Sequence, residues 1–93
     1  MTEPRARRYR RQDVWRRREG NSAVRYVCFE SLEDGSVSVQ SADFFRLPIT
    51  TAQLAEREAM AVELFIEDDP SERSGAHPTL LAAIAAHDAS FEN

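Results

Sequence analysis

Two runs of apolar residues lie on either side of the polar Glu33-Asp34-Gly35 in residues 24–45, VRYVCFESLEDGSVSVQSADFF, and this predicts a β-hairpin. Its arms, 24–32 and 36–45, are rich in β-branched and aromatic residues, and between them Gly35 supplies the positive φ that a tight reversal needs. Two registers fit. With Asp34-Gly35 as a two-residue turn, Leu32 faces Val37, Glu30 faces Val39, and Val24, Tyr26, Cys28 and Leu32 form the buried row. With Glu33-Asp34-Gly35 as a three-residue loop, Phe29 faces Val39 and the row is Val27, Phe29, Val37 and Val39. A slip of one residue exchanges the faces, and the second register sets no carboxylate opposite a buried valine. Apolar residues point both ways in either case. The sheet is therefore expected to carry helices on one side and, on the other, a partner or the N-terminal segment.

Upstream, residues 9–19 gather no apolar stripe at the helical period. They alternate instead, with Tyr9, Arg11, Asp13, Trp15 and Arg17 on one side and Arg10, Gln12, Val14 and Arg16 on the other, which predicts a first strand turning through Glu19-Gly20-Asn21. Beyond Leu47-Pro48, Thr50 and Gln53 fit a capping box for a helix reaching about Glu67. Projected on that helix, Leu54, Ala55, Ala61, Val62, Phe65 and Ile66 share the arc that should cover the sheet. Glu58 falls in the middle of the arc as a buried polar candidate that needs a cation, with Arg25 or Arg46 expected, while Met60 and Leu64 make an apolar pair on the opposite side. Residues 67–72 are acidic and read as a solvated loop. Pro78 opens a second helix over about 79–90, with Leu80, Ile84, His87 and Phe91 as its stripe. The chain thus predicts an α+β fold: a three-stranded antiparallel β-meander followed by two α-helices packed on one face (β-β-β-α-α), with residues 1–8 a flexible basic tail and residues 9–93 a single domain.

Composition narrows the class. Ninety-three residues make one domain, a single cysteine excludes an internal disulfide, and no run of about 18 apolar residues or signal-peptide core occurs, so no membrane partner and a reducing cytoplasm are expected. The net charge of −4 conceals an asymmetry: residues 1–25 hold nine arginines against three carboxylates, and the remaining residues hold three arginines against thirteen. All twelve basic side chains are arginine, so arginine at any one position is not evidence of selection for anion binding.

Catalytic residue types occur only singly. His77 and His87 lack zinc-ligand spacing, Cys28 sits inside a strand, and three glycines cannot form a phosphate loop. The acidic stretch lacks the alternating ligands of a calcium loop. Only a Cys28–His87–Asp43 constellation is conceivable as a catalytic site, and no spacing predicts it. No enzyme, cofactor or metal is expected. The candidate partner- or anion-binding residues are Arg8, Arg10, Arg11, Trp15, Arg16, Arg17 and Arg18, with Met60 and Leu64 as candidate dimer contacts. The function expected is a small non-enzymatic module that self-associates as a homodimer and occupies or blocks a protein partner, by analogy with small bacterial regulators, immunity proteins and inhibitors. The rival is nucleic-acid binding, since arginines beside Tyr9 and Trp15 could stack on bases.

Overall fold

The computed structural model describes residues 7–91. Strands β1 (Tyr9–Arg18), β2 (Ser22–Ser31) and β3 (Val37–Arg46) form an antiparallel sheet in the order β1-β2-β3, followed by helices α1 (Thr51–Glu67), α2 (Pro70–Ser74) and α3 (Leu80–Phe91). This is the α+β meander that the sequence predicts. The β1–β2 turn bends through Gly20 and Asn21, both at positive φ (76° and 57°), which glycine and asparagine tolerate best. Of the tail expected over residues 1–8, residues 1–6 lie outside the described residues; the Arg8 carbonyl accepts the Leu32 N–H at 2.9 Å, continuing the β1 pairing.

The β2–β3 hairpin follows neither expected register at its closed end. Ser31 N–H donates to the Ser36 carbonyl (2.8 Å), so the loop has four residues, Leu32 is exposed in it, and Glu30 pairs with Val37 and Cys28 with Val39. A β-bulge at Gln40 then shifts the pairing by one, and Val24 to Val27 meet Ser41 to Phe44 as the three-residue loop would have it. The bulge sorts the odd-numbered residues of β3 onto two faces. Val37 and Val39 join Tyr26, Cys28 and Val24 beneath Leu80, Ala83 and Ile84 of α3, while Asp43 and Phe45 turn to the other face with Arg25.

That second face belongs to α1, so the helices divide between the two sides of the sheet rather than sharing one. Phe65 of α1 packs on Phe29 and Tyr9 (ring centroids 4.6 and 5.8 Å), and Gln40 Nε2 donates to the Ala61 carbonyl. The reason lies in β2: residues 25–29 are all buried, and consecutive strand residues point to opposite faces, so both need a cover.

Helix α1 begins as its capping box predicts, with Thr50 Oγ1 accepting the Gln53 N–H at 3.1 Å. Its roll differs from the projected arc. Ala61 is buried and Leu64 and Phe65 partly so, whereas Val62 and Ile66 are 54% and 75% exposed. Glu58 is accordingly not a buried residue but lies at the margin of the covered arc, while Met60 is 50% exposed and Leu64, one turn on, is partly buried. The acidic stretch also holds a helix. Asp69 caps α2, its Oδ1 accepting from the Ser71 N–H (2.9 Å) and from the Tyr9 hydroxyl (2.6 Å), and Pro70 behind it is buried. Burial works to raise the Asp69 carboxyl, but the hydrogen bonds from Tyr9 and Ser71 outweigh it and hold the group below the usual range. At the far end of the connection, Val37 and His77 exchange two backbone hydrogen bonds of 2.8 Å, which tie the edge of β3 to the chain entering α3.

Ala83 is 2% exposed against the sheet. Replacing it with leucine should cost about 1–3 kcal/mol through overpacking, read as a lower urea midpoint, whereas leucine at the exposed Ala85 should leave the midpoint within about 0.5 kcal/mol.

Candidate functional site

Arg25 stands in the middle of the central strand with its side chain only 6% exposed. A guanidinium cannot shed its charge, so it needs carboxylates, and two neighbours supply them. Asp43, directly opposite on β3, accepts from Nη2 at 2.6 Å and from Nε at 3.2 Å, and Glu58 of α1 approaches Nη1 at 2.9 Å. Trp15 and Phe45 flank the cation, their ring centroids 5.7 and 5.3 Å from its Cζ. Glu58 also takes Arg11, at 2.9 Å from Nη2, and Arg11 in turn holds Asp13. The hydrogen bond from Arg11, aided by Arg25, holds the Glu58 carboxyl below its ordinary value of 4.5. One charge cluster thus ties all three strands to α1. Arg25 was one of the two partners expected for Glu58; Arg11 is the second partner, and Arg46 is not one.

Beyond this cluster the sheet runs past the helices, and its end is open. On the α1 side, Trp15, Ala23, Phe45, Leu47, Ile49 and Leu54 line a groove of about 700 Å³ with Arg17 and Glu19 at its rim. Trp15, Leu47 and Leu54 are 55%, 63% and 38% exposed, so the floor is apolar surface open to solvent. On the α3 side of the same end lie Arg16, Arg18 and Arg46, with Phe44 (45% exposed) beneath the Arg18 guanidinium at 5.7 Å.

The arginines expected to act together therefore separate into classes. Arg11 is structural. Arg10 and Arg16 reach body carboxylates, Glu30 at 3.9 Å and Asp88 at 3.7 Å, and Arg16 also approaches the Tyr26 hydroxyl. Arg8 is exposed, and its carbonyl accepts from the Leu32 N–H. Arg17, Arg18 and Arg46 have no ion pair among the described residues and collect at the open end, beside the exposed Trp15. Arg46, Leu47, Ile49 and Leu54 were missed, although the pairing of Ser22 with Arg46 could have placed Arg46 next to Arg18.

The residues of conventional catalysis do not converge. Cys28 is fully buried on the α3 face, where burial pushes its thiol up to about 11, and Asp43 lies on the opposite face with Arg25, so the Cys28–His87–Asp43 constellation does not form. His77 and His87 do line one cleft of about 490 Å³ beside Gln40, Arg73 and Phe91. His87 packs edge-on against Tyr26, and its Nδ1 has no hydrogen-bond partner among the described residues. No group of three or more His, Cys, Asp or Glu placed to hold a metal ion occurs among the described residues. Compared with protein-family models, with curated proteins and with solved structures, the chain matches none of them.

Removing Asp43 strands a buried cation. Asp43→Ala should cost about 3–5 kcal/mol in chemical denaturation, and the double replacement Arg25→Met with Asp43→Leu should cost less than Asp43→Ala alone. Because the folded state holds the Glu58 carboxyl below 4.5, its contribution is complete above about pH 5 and is lost as the pH falls through the lowered value. Glu58→Gln should accordingly flatten the decline of unfolding free energy measured between about pH 5 and pH 3.

Proposed function

We propose that the protein is a non-enzymatic binding module that occupies or blocks a protein partner through the open end of its sheet. The observation that carries this is the groove itself: an apolar floor of Trp15, Phe45, Leu47 and Leu54, with Arg17, which has no ion pair among the described residues, beside Glu19 at its rim. Such a surface suits a segment carrying one or two bulky apolar side chains next to carboxylates. The apolar groups supply affinity, and the Arg17 guanidinium, able to grip a carboxylate with two hydrogen bonds, supplies orientation. Exposed Val62, Ile66 and Leu81 support self-association as a homodimer. No helix among the described residues is long and apolar enough to cross a membrane. A cytoplasmic location accords with a single, buried, free cysteine.

A second use has its own support. Arg16, Arg18 and Arg46 around Phe44 on the other side of the same end form a basic, aromatic surface that suits single-stranded nucleic acid. The thirteen carboxylates of residues 26–93 oppose it, since a polyanion held at a strand within the sheet stays near the acidic helices.

Trp15 is the only tryptophan and lies in the groove, so its fluorescence reports occupancy. An acidic amphipathic peptide with leucine anchors should shift Trp15 emission to the blue and saturate, and Leu47→Ser or Arg17→Glu should weaken binding by roughly tenfold or more. Submicromolar binding of oligonucleotides at about 150 mM salt, with a log–log salt slope near about −3 and no response to the peptide, would instead favour the nucleic-acid use.

A further inference from the structure

Unpaired arginines gather at one end of the sheet although carboxylates outnumber arginines in the chain. Most described arginines lie beside a carboxylate, as Arg10 does beside Glu30 and Arg73 beside Asp68. Arg18 and Arg46 have no such partner among the described residues, yet the strand register sets them together. Arg18 pairs with Ser22 and Ser22 with Arg46, so the two arginines flank one serine on the α3 side of the sheet, about 10 Å apart across two strand spacings. The Arg18 guanidinium lies over the Phe44 ring, and Arg46 Nη2 reaches to 4.0 Å from where a side chain at Gly20 would begin. Both border one cavity of about 390 Å³, whose charged lining is Arg16, Arg17, Arg18 and Arg46 against Glu19 alone. Guanidinium groups held together in this way repel one another, and a bound anion turns that cost into attraction.

We propose that this cavity binds a phosphate-monoester dianion, gripped between Arg18 and Arg46. Arg16, which Asp88 partly neutralises from 3.7 Å, contributes less. The two guanidinium forks select the ligand, since each matches a pair of oxygens. A carboxylate, with one charge and two oxygens, satisfies one fork and leaves the other unanswered. A phosphate monoester carries about two negative charges and three terminal oxygens, enough for both. Each linkage of a nucleic acid has one charge and two free oxygens, and a run of them must extend from the basic end toward the acidic helices, whereas a single monoester stays where the arginines are. Glu19 opposes any anion but is outnumbered. Phe44 favours binding by holding the Arg18 fork in place, so that less side-chain freedom is lost when the ligand arrives. The site lies across the sheet from the apolar groove, and neither depends on the other.

Titration of the full chain with phenyl phosphate at about 150 mM salt, followed through the arginine Nε–Hε resonances, tests this. The Arg18 and Arg46 signals should shift and saturate while that of the buried Arg25 stays fixed. Methyl phenyl phosphate, which has lost one charge and one terminal oxygen, should bind at least roughly tenfold more weakly. Arg18 and Arg46 are exposed, so Arg18→Gln and Arg46→Gln should leave the fold intact, and each should weaken phenyl phosphate binding by roughly tenfold. Arg57→Gln, the same charge change on α1, should leave binding within about twofold. Phenyl phosphate that binds no tighter than its methyl ester, or that loses as much to Arg57→Gln as to Arg18→Gln, overturns the proposal. So does single-stranded DNA that binds through Arg18 and Arg46 more tightly than any monoester, which assigns the surface to a phosphodiester backbone. Two further probes identify the source of the dianion. A phosphoserine peptide that binds roughly tenfold or more tighter than phenyl phosphate places it on a modified protein segment, whereas inorganic phosphate or phenyl phosphate binding as tightly as the peptide places it on a small molecule.

Discussion

A permanently charged guanidinium in the central strand of a three-stranded sheet constrains everything packed around it. Arg25 cannot be neutralised and cannot reach water from the middle of β2, so the fold has to bring carboxylates to it. Asp43 comes from β3, which requires the hairpin pairing to place those two residues opposite one another, and Glu58 comes from α1, which requires the helix to turn that residue toward the sheet. The pairing is met by the bulge at Gln40. The helix orientation is met by a roll that gives up the burial of Val62 and Ile66, while Ala61 and Phe65 stay inside.

The exposure of the apolar strip on α1 is thus a consequence of satisfying a buried charge. A helix free to bury its most hydrophobic side would have turned Val62 and Ile66 to the core and left Glu58 with an unanswered desolvation cost. Trp15 and Phe45 also take their places from Arg25, since they close over its two sides, and their outer surfaces then form the floor of the groove. The charge cluster and the candidate binding surface share side chains. A change at Arg25 would be felt in the groove through Trp15 before any ligand is present.

Much of the fold was legible in the sequence because local signals agreed. Alternation located the first strand and runs of β-branched and aromatic residues the other two, Gly20 and Gly35 marked the turns, and Thr50 with Gln53 opened α1 where the capping box places it. The divided helices, the bulge and the roll of α1 were not legible, and they share a cause. Hydrophobic projection weighs each residue by its own transfer preference, whereas Glu58 is held at the sheet margin by Arg11 and Arg25, partners distant in sequence. In the same way, Asp69 looked like one of a run of solvated acids until Tyr9, sixty residues away, is seen to donate to it. The candidate site was half legible. Trp15, Arg17 and Arg18 stood out in the basic first strand, but Leu47, Ile49 and Leu54 read as a turn and a helix start, and only the tertiary arrangement joins them into one groove.

The roll of α1 is the point on which the charge cluster, the exposed strip and the groove all depend, and it can be read directly from methyl resonances. At a concentration where the protein is monomeric, a soluble paramagnetic agent should broaden the methyls of Val62 and Ile66 strongly and those of Leu64 much less. Protected Val62 and Ile66 methyls beside an exposed Leu64 would mean that hydrophobic burial, and not the carboxylate demanded by Arg25, sets the orientation of the helix.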